Sequence, residues 1–324
     1  MAAKKKRKPS PSSGEVADGI VIRSTGRYSL VQVEEGGVYK CVVRGKMRLA
    51  DLKTTNPVAV GDKVRVQLPS EPEELGAIRE VLPRKNYILR KAASHQHIVH
   101  ILCANVDQAI LLYTVSQPHT TSGFANRFLV VAEAYHIPVQ ILINKVDVLE
   151  TEEEKFKLAE VTYMYESIGY PVMALSARDP RYQEQVQALL QDKVSFISGH
   201  SGAGKSTLIN LVDPSLDLKT GDISTYYSKG RHTTTYAEMH ALAFGGFIID
   251  SPGIKEMGIA GFEKEELAHY FPEMRALMPD CRFSNCLHLN EPGCAVKQAL
   301  ETGEVHPSRY NSYLSMIEEM EEGK

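Results

Sequence analysis

Three short runs of residues carry chemistry in this sequence. Gly199-His200-Ser201-Gly202-Ala203-Gly204-Lys205-Ser206 has the spacing G-x-x-x-x-G-K-[ST]. It is preceded by the apolar run Val194 to Ile197 and followed by the helix-forming Thr207-Leu208-Ile209-Asn210-Leu211. A glycine-rich turn between a strand and a helix N-terminus lets backbone N–H groups close on phosphate oxygens. Lys205 would set its ammonium near the β- and γ-phosphates, and the Ser206 hydroxyl can ligate Mg²⁺. Asn144-Lys145-Val146-Asp147 has the form N-K-x-D. A carboxylate at Asp147 can accept from both the ring N–H and the exocyclic amine of guanine, whereas adenine would leave a buried acceptor unpaired at about 1–3 kcal/mol. Asn144 would tie this loop to the phosphate loop, and the Lys145 stem would cover the base. Ser176-Ala177, after the apolar Val172 to Leu175, offers a backbone N–H to the guanine carbonyl. The third run, Cys281, Cys286, His288 and Cys294, is C-x₄-C-x-H-x₅-C, the ligand set of a closed structural zinc site.

Two further segments complete a nucleotide site. Asp250-Ser251-Pro252-Gly253 has the form D-x-x-G after the apolar Phe247-Ile248-Ile249, so Asp250 would hold Mg²⁺ through water and the Gly253 N–H would sense a γ-phosphate. Gly230-Arg231-His232-Thr233-Thr234-Thr235 lies between this segment and the phosphate loop, and one of its threonines should complete the magnesium shell. Thr234 is favoured, with its neighbours close behind. The residue after Gly253 is Ile254, whose aliphatic side chain cannot orient water. His232 is the best candidate for that task, and His200 is the weaker alternative.

The elements that must position these groups follow from patterning. Apolar runs at Ile98 to Cys103, Ala109 to Val115 and Pro138 to Ile143, with a helix from about Ser122 to His136, predict a parallel sheet in an α/β domain with functional loops at the carboxyl ends of its strands. Earlier, Gly19 to Arg23, Tyr28 to Val33, Val38 to Arg44 and Val64 to Leu68 read as short strands punctuated by Thr25-Gly26, Glu35-Gly36-Gly37 and Val60-Gly61-Asp62. They suit a small barrel, of the five-stranded oligonucleotide-binding (OB) type or the SH3-like type. No convincing internal repeat is present. The expected organisation is a basic disordered tail at 1–15, an RNA-binding OB domain at 16–92, a GTPase domain at 93–261 and a helical zinc-binding domain at 262–324.

The 324 residues carry 37 Lys and Arg against 40 Asp and Glu, and the small net charge of −3 conceals an asymmetry. The first hundred residues hold 19 basic and 10 acidic side chains, the remainder 18 and 30. A basic first segment suits an RNA partner, with Arg44, Lys46 and Arg48 a reasonable cluster. No run of 18 apolar residues occurs, and the cationic start has no hydrophobic stretch behind it, so a soluble cytoplasmic protein without a membrane partner is expected. Five Cys, three of them within 14 residues, argue for metal ligands rather than disulfides, leaving Cys41 and Cys103 as core thiols.

The N-K-x-D run precedes the phosphate loop, the reverse of the order in ordinary GTPases. Because all these loops leave one sheet edge, moving the chain ends reorders the motifs without dismantling the site. With a basic barrel before it and a Cys/His cluster after it, the sequence resembles the ribosome small-subunit-dependent GTPase A family of circularly permuted GTPases. The resemblance covers roughly residues 16 to 315 and rests on Asn144 to Asp147, Gly199 to Thr207, Gly230 to Thr235, Asp250 to Gly253 and the Cys-rich segment. It implies an OB barrel, a central GTPase that hydrolyses GTP to GDP with Mg²⁺, and a C-terminal zinc domain. It further implies action in late maturation of the small ribosomal subunit through contacts with its rRNA, with turnover stimulated by the subunit. It implies a histidine at the position of His232 in hydrolysis. A monomer is expected. The alternative is an RNA-binding nucleotide switch with little turnover, acting on another RNA or on the large subunit.

Overall fold

The computed structural model describes residues 14–33, 37–44, 57–69, 71, 74–91, 99–218, 237–250 and 263–322. The expectations for the Lys-rich start, Lys46, Arg48, the 230–235 segment and Ser251 to Gly253 lie outside them.

Five strands, β1 (Val16–Ser24), β2 (Ser29–Val33), β3 (Val38–Val43), β4 (Lys63–Gln67) and β5 (Gly76–Val81), close a ring in the order β1-β2-β3-β5-β4-β1. All pairs are antiparallel except β3 with β5, which is parallel. That parallel pair requires the chain to cross the barrel between β3 and β5, so the ring is a Greek key of OB type and not an SH3-like meander. Alternation on each strand points Val21, Val31, Cys41, Val64, Val66 and Ile78 inward, and none of them is exposed to solvent.

β6 (Tyr87–Lys91) and β7 (Val99–Ala104) form an antiparallel pair of their own. The apolar run at 98–103 is therefore not the first strand of the parallel sheet, and its pairing joins residues on both sides of the expected 92/93 boundary. The sheet starts at β8 (Gln108–Thr114), a strand buried at every residue. Its further members are β9 (Val139–Asn144), β10 (Val172–Ala174), β11 (Val194–Gly199), β12 (Glu238–Ala241) and β13 (Phe247–Asp250), in the order β10-β9-β8-β11-β13-β12. All are parallel but β12.

Helices α1 (Ser122–Ala134), α2 (Glu152–Ser167), α3 (Gln183–Leu190) and α4 (Lys205–Val212) connect the strands. Side-chain caps set the starts of α1 and α2. The Thr121 hydroxyl accepts from the Phe124 N–H, and Thr151 with Glu154 forms a reciprocal capping box.

Two joints connect barrel and sheet. β1 extends to pair with β12 at Arg23 and Glu238, making one continuous eleven-stranded sheet. Beside it, Gly61 lies against Ala104, whose carbonyl oxygen would overlap any Cβ at that position. The Ala104 N–H donates to Val60 at 2.8 Å and Asn105 Nδ2 to the Gly61 carbonyl at 2.9 Å. The buried pair Arg84–Asp62 closes the joint at 2.6 Å. Burial pushes the Asp62 carboxyl up, and the Arg84 guanidinium opposes that shift.

The C-terminal unit contains α5 (Pro272–Leu277), α6 (Ala295–Thr302) and α7 (Pro307–Glu322). Its core gathers Leu267, Phe271, Met274, Val296, Tyr313 and Met316, and includes Val130 from α1. No described helix is long and apolar enough to cross a membrane.

Candidate functional site

The carboxyl ends of β9, β10 and β11 carry three of the loops singled out above, and because these strands and β13 are parallel, the three loops and Asp250 at the end of β13 lie on one edge. β11 ends at Gly199, and the turn that follows delivers Lys205 and Ser206 as the first residues of α4. Gly204 has φ +99°, and a Cβ there would lie 2.4 Å from Asn144 Nδ2. Its lack of a side chain serves both the left-handed turn and the approach of the neighbouring loop. Lys205 Nζ donates to the carbonyls of Gly199 and His200 at 2.7 and 3.1 Å, which holds the ammonium across the loop. Burial lowers the Lys205 pKa below the ordinary lysine value, while the Asp250 carboxylate acts in the opposite direction. Asp250 ends β13, in register with Ile197 of β11, and so sits beside the phosphate loop.

Asn144, almost completely buried, is the hub of the edge. Its Nδ2 donates to the Ala203 carbonyl in the phosphate loop at 2.8 Å, and its Oδ1 accepts from the Ala177 N–H at 2.8 Å. One side chain thereby joins the three loops at 144–147, 176–177 and 199–207. A guanine carbonyl at the second of these would have to share the Ala177 donor with Asn144. The Ser176 hydroxyl accepts from the Arg178 N–H at 3.2 Å and tightens the same turn. Lys145 adopts φ +66°, a left-handed conformation uncommon for a side-chain-bearing residue. Its Nζ donates to the Gln117 carbonyl at 2.5 Å, which keeps the stem over the loop edge. Asp147 follows in a single 3₁₀ turn, Val146–Val148. Gln117 carries no motif of its own, so only the fold reveals it as the partner of Lys145. The His200 ring stacks on Phe124 of α1 with centroids 4.0 Å apart. The remaining proposed ligands of the phosphate end, Thr234 and Gly253, and the hydrolytic candidate His232 fall outside the described residues.

About the second cluster, one ligand atom from each of Cys281, Cys286, His288 and Cys294 lies within 4.8 Å of every other. His288 Nδ1 faces the Sγ atoms of Cys281 and Cys294 at 3.7 and 3.4 Å. Thiolates about 2.3 Å and an imidazole about 2.0 Å from one ion produce separations of this size, so the four residues fit tetrahedral Zn²⁺ with no open position. Burial, with Cys294 adding to it, pushes the Cys286 thiol up to about 12, a shift that a bound cation would reverse. Surrounding bonds hold the loop in place: Tyr310 and Tyr313 hydroxyls donate to the carbonyls of His288 and Leu287 at 2.6 and 2.7 Å, and Glu291 accepts the Leu287 and Leu289 N–H groups.

Two family models match the chain, RsgA N-terminal domain over residues 18–78 and RsgA GTPase over residues 81–260. A Bacteroides thetaiotaomicron protein named small ribosomal subunit biogenesis GTPase RsgA 2 is 45% identical over 306 residues, covering 94% of this chain and 98% of that one. Its counterpart in Christiangramia forsetii, small ribosomal subunit biogenesis GTPase RsgA, is 47% identical over 304 residues, 93% and 95% of the two chains. Among solved structures, YjeQ from Thermotoga maritima superposes with a TM-score of 0.73 at 36% identity, over 94% of this chain and 98% of that one. YloQ, described as a circularly permuted GTPase, superposes with a TM-score of 0.71 at 30% identity, over 98% and 99%. With the guanine loop preceding the phosphate loop in chain order on one sheet edge, an OB barrel ahead of them and a Cys₃His cluster behind, the chain belongs to the RsgA family of circularly permuted GTPases and hydrolyses GTP.

Proposed function

We propose that this GTPase acts in late maturation of the small ribosomal subunit, that it docks on the subunit's rRNA through its barrel and zinc unit, and that docking accelerates hydrolysis. The observation that carries the nucleotide half of this reading is the Asn144 side chain, bonded at once to the phosphate loop and to the Ser176-Ala177 turn. The names of full-length relatives at 45% and 47% identity support the ribosomal half, together with the excess of basic residues in the first hundred.

In this reading Asp147 accepts the guanine N–H groups, and Lys145 covers the base. The backbone of Gly199 to Ser206, with Thr207, embraces the phosphates, and Lys205 offsets charge on the β- and γ-phosphates. Ser206 and Thr234 would hold Mg²⁺ directly and Asp250 through water, and the ion would supply charge neutralisation at the phosphates. Gly253 would report the γ-phosphate, and His232 would orient the attacking water. His200 is the weaker candidate for that task because its ring is engaged with Phe124. Cys281, Cys286, His288 and Cys294 would hold a structural Zn²⁺. The division near residues 15, 92 and 261 is proposed as one of function: tail, RNA-binding barrel, GTPase and zinc unit, in a monomeric cytoplasmic protein.

Turnover of GTP and ATP, each with and without purified small and large subunits, tests the proposal. GTP-only turnover that rises with small subunits is the expected result. Nucleotide binding without turnover would replace it with the RNA-binding switch, and acceleration by large subunits alone with a permuted GTPase serving the large subunit.

A further inference from the structure

A cleft of about 490 Å³ opens where three parts of the molecule meet: the phosphate loop through His200, the start of α1 through Phe124 and Arg127, and α7 through Asn311, Ser312 and Ser315. Its size falls in the range of small-ligand sites. Phe124 and His200, stacked on each other with an interplanar angle of 26°, form an aromatic pair in the lining, and α7 contributes an amide and hydroxyls. Arg127 is held by both carboxylate oxygens of Glu319, so among the described residues of the lining the one cation is already balanced. A flat ring combined with a neutral hydrogen-bonding wall suits a planar, uncharged group with donors and acceptors on its edge. It does not suit an isolated phosphate.

We infer that this cleft receives a nucleobase from a single-stranded stretch of the small-subunit RNA, stacked on the outer face of the Phe124–His200 pair and hydrogen-bonded along α7. The inference rests on the proposed docking on the small subunit and deepens it. An occupant would touch the phosphate loop and the C-terminal unit together, so RNA engagement reaches the nucleotide site through His200. Behind the cleft the same helices are clamped: Asn126 of α1 bonds Arg309 at 2.9 Å and Ser312 at 2.8 Å, both from α7. A base that repositions α7 thereby also bears on α1.

Ultraviolet cross-linking of the full chain bound to purified small subunits, followed by peptide mass spectrometry, should find a nucleotide adduct on Phe124 or His200. Asn311→Trp and Ser315→Trp, at exposed positions on α7, would fill the cleft from its rim. Both should keep basal GTP turnover and lose about tenfold or more of the subunit-stimulated rate, the scale of one lost base stack. Full stimulation of both variants overturns the assignment, as does a cross-link from this cleft to a ribosomal protein. Wild-type protein that neither binds nor responds to small subunits would remove the docking proposal and the cleft with it, whereas filled variants that respond like wild type remove the cleft alone.

Discussion

Single residues at the sheet edge each face a demand that their chemistry meets. Lys205 is held across its loop in a buried setting that lowers its pKa. A bound phosphate favours the charged form, so its pKa is higher with nucleotide than without, and binding takes up a proton between the two values. GDP affinity should therefore fall as pH rises through the lowered value of the nucleotide-free protein and level off above the bound one. Calorimetric titrations on the alkaline side of neutrality, while the guanine ring N–H is still protonated, should show this fall in wild type and a flatter profile in Lys205→Arg, whose guanidinium stays charged. A flat wild-type profile would contradict it. At the other end of the chemistry, His232→Ala should leave GTP affinity intact and lower subunit-stimulated turnover by about 10² or more. Unchanged turnover at saturating small subunits would take His232 out of the mechanism. Lys205 was legible because it belongs to a run whose spacing is imposed by the shape of a nucleotide. Gln117, which holds Lys145 by a backbone carbonyl, was not, since any residue supplies that group.

Among the elements, α1 links the phosphate loop to the C-terminal unit. Its first turn stacks on the phosphate loop, and its second carries Asn126, which is fully buried. The Asn126 Oδ1 accepts from Arg309 at 2.9 Å and from the Tyr165 hydroxyl at 3.2 Å, and its Nδ2 donates to Ser312. Arg309 is itself buried, paired with Glu273 at 2.6 Å and lying over the Phe271 ring. Asn126→Ala would leave one guanidinium N–H of a buried cation without its acceptor, at a cost of about 2–4 kcal/mol. Chemical denaturation should show that loss, with hydrogen exchange first accelerated in α7. A change below about 0.5 kcal/mol would mean the network relaxes around the substitution. The strand and helix pattern announced most elements, yet β5 was missed and the 98–103 run was misassigned to the parallel sheet. Both errors have one cause: the pattern identifies a strand but not its neighbour, and short strands are decided by what they pair with.

Viewed whole, the molecule is an OB barrel and a permuted nucleotide domain sharing one sheet, with a helical unit that carries the Cys₃His cluster packed on α1. The Cys₃His cluster belongs to a core separate from that of the phosphate-loop strand and its helix. Fresh protein should contain about one zinc per chain. Cys286→Ser or chelation should remove it, weaken the near-ultraviolet signal of Tyr310 and Tyr313, and lower the melting temperature, while GDP affinity changes by less than about twofold. Zinc-free protein on elemental analysis would remove the metal from the account. What the sequence alone determined is the set of motifs and their permuted order: N-K-x-D, G-x-x-x-x-G-K-[ST] and C-x₄-C-x-H-x₅-C are each spacings of a few residues, legible without the fold. Tertiary structure alone decided how the parts are joined. The parallel β3–β5 pair selects the OB ring, Gly61 meets Ala104 at the barrel joint, and Arg309 reaches Asn126 across 183 residues of chain. Such contacts leave no periodic trace in sequence, because each partner is an ordinary residue until folding brings the other beside it.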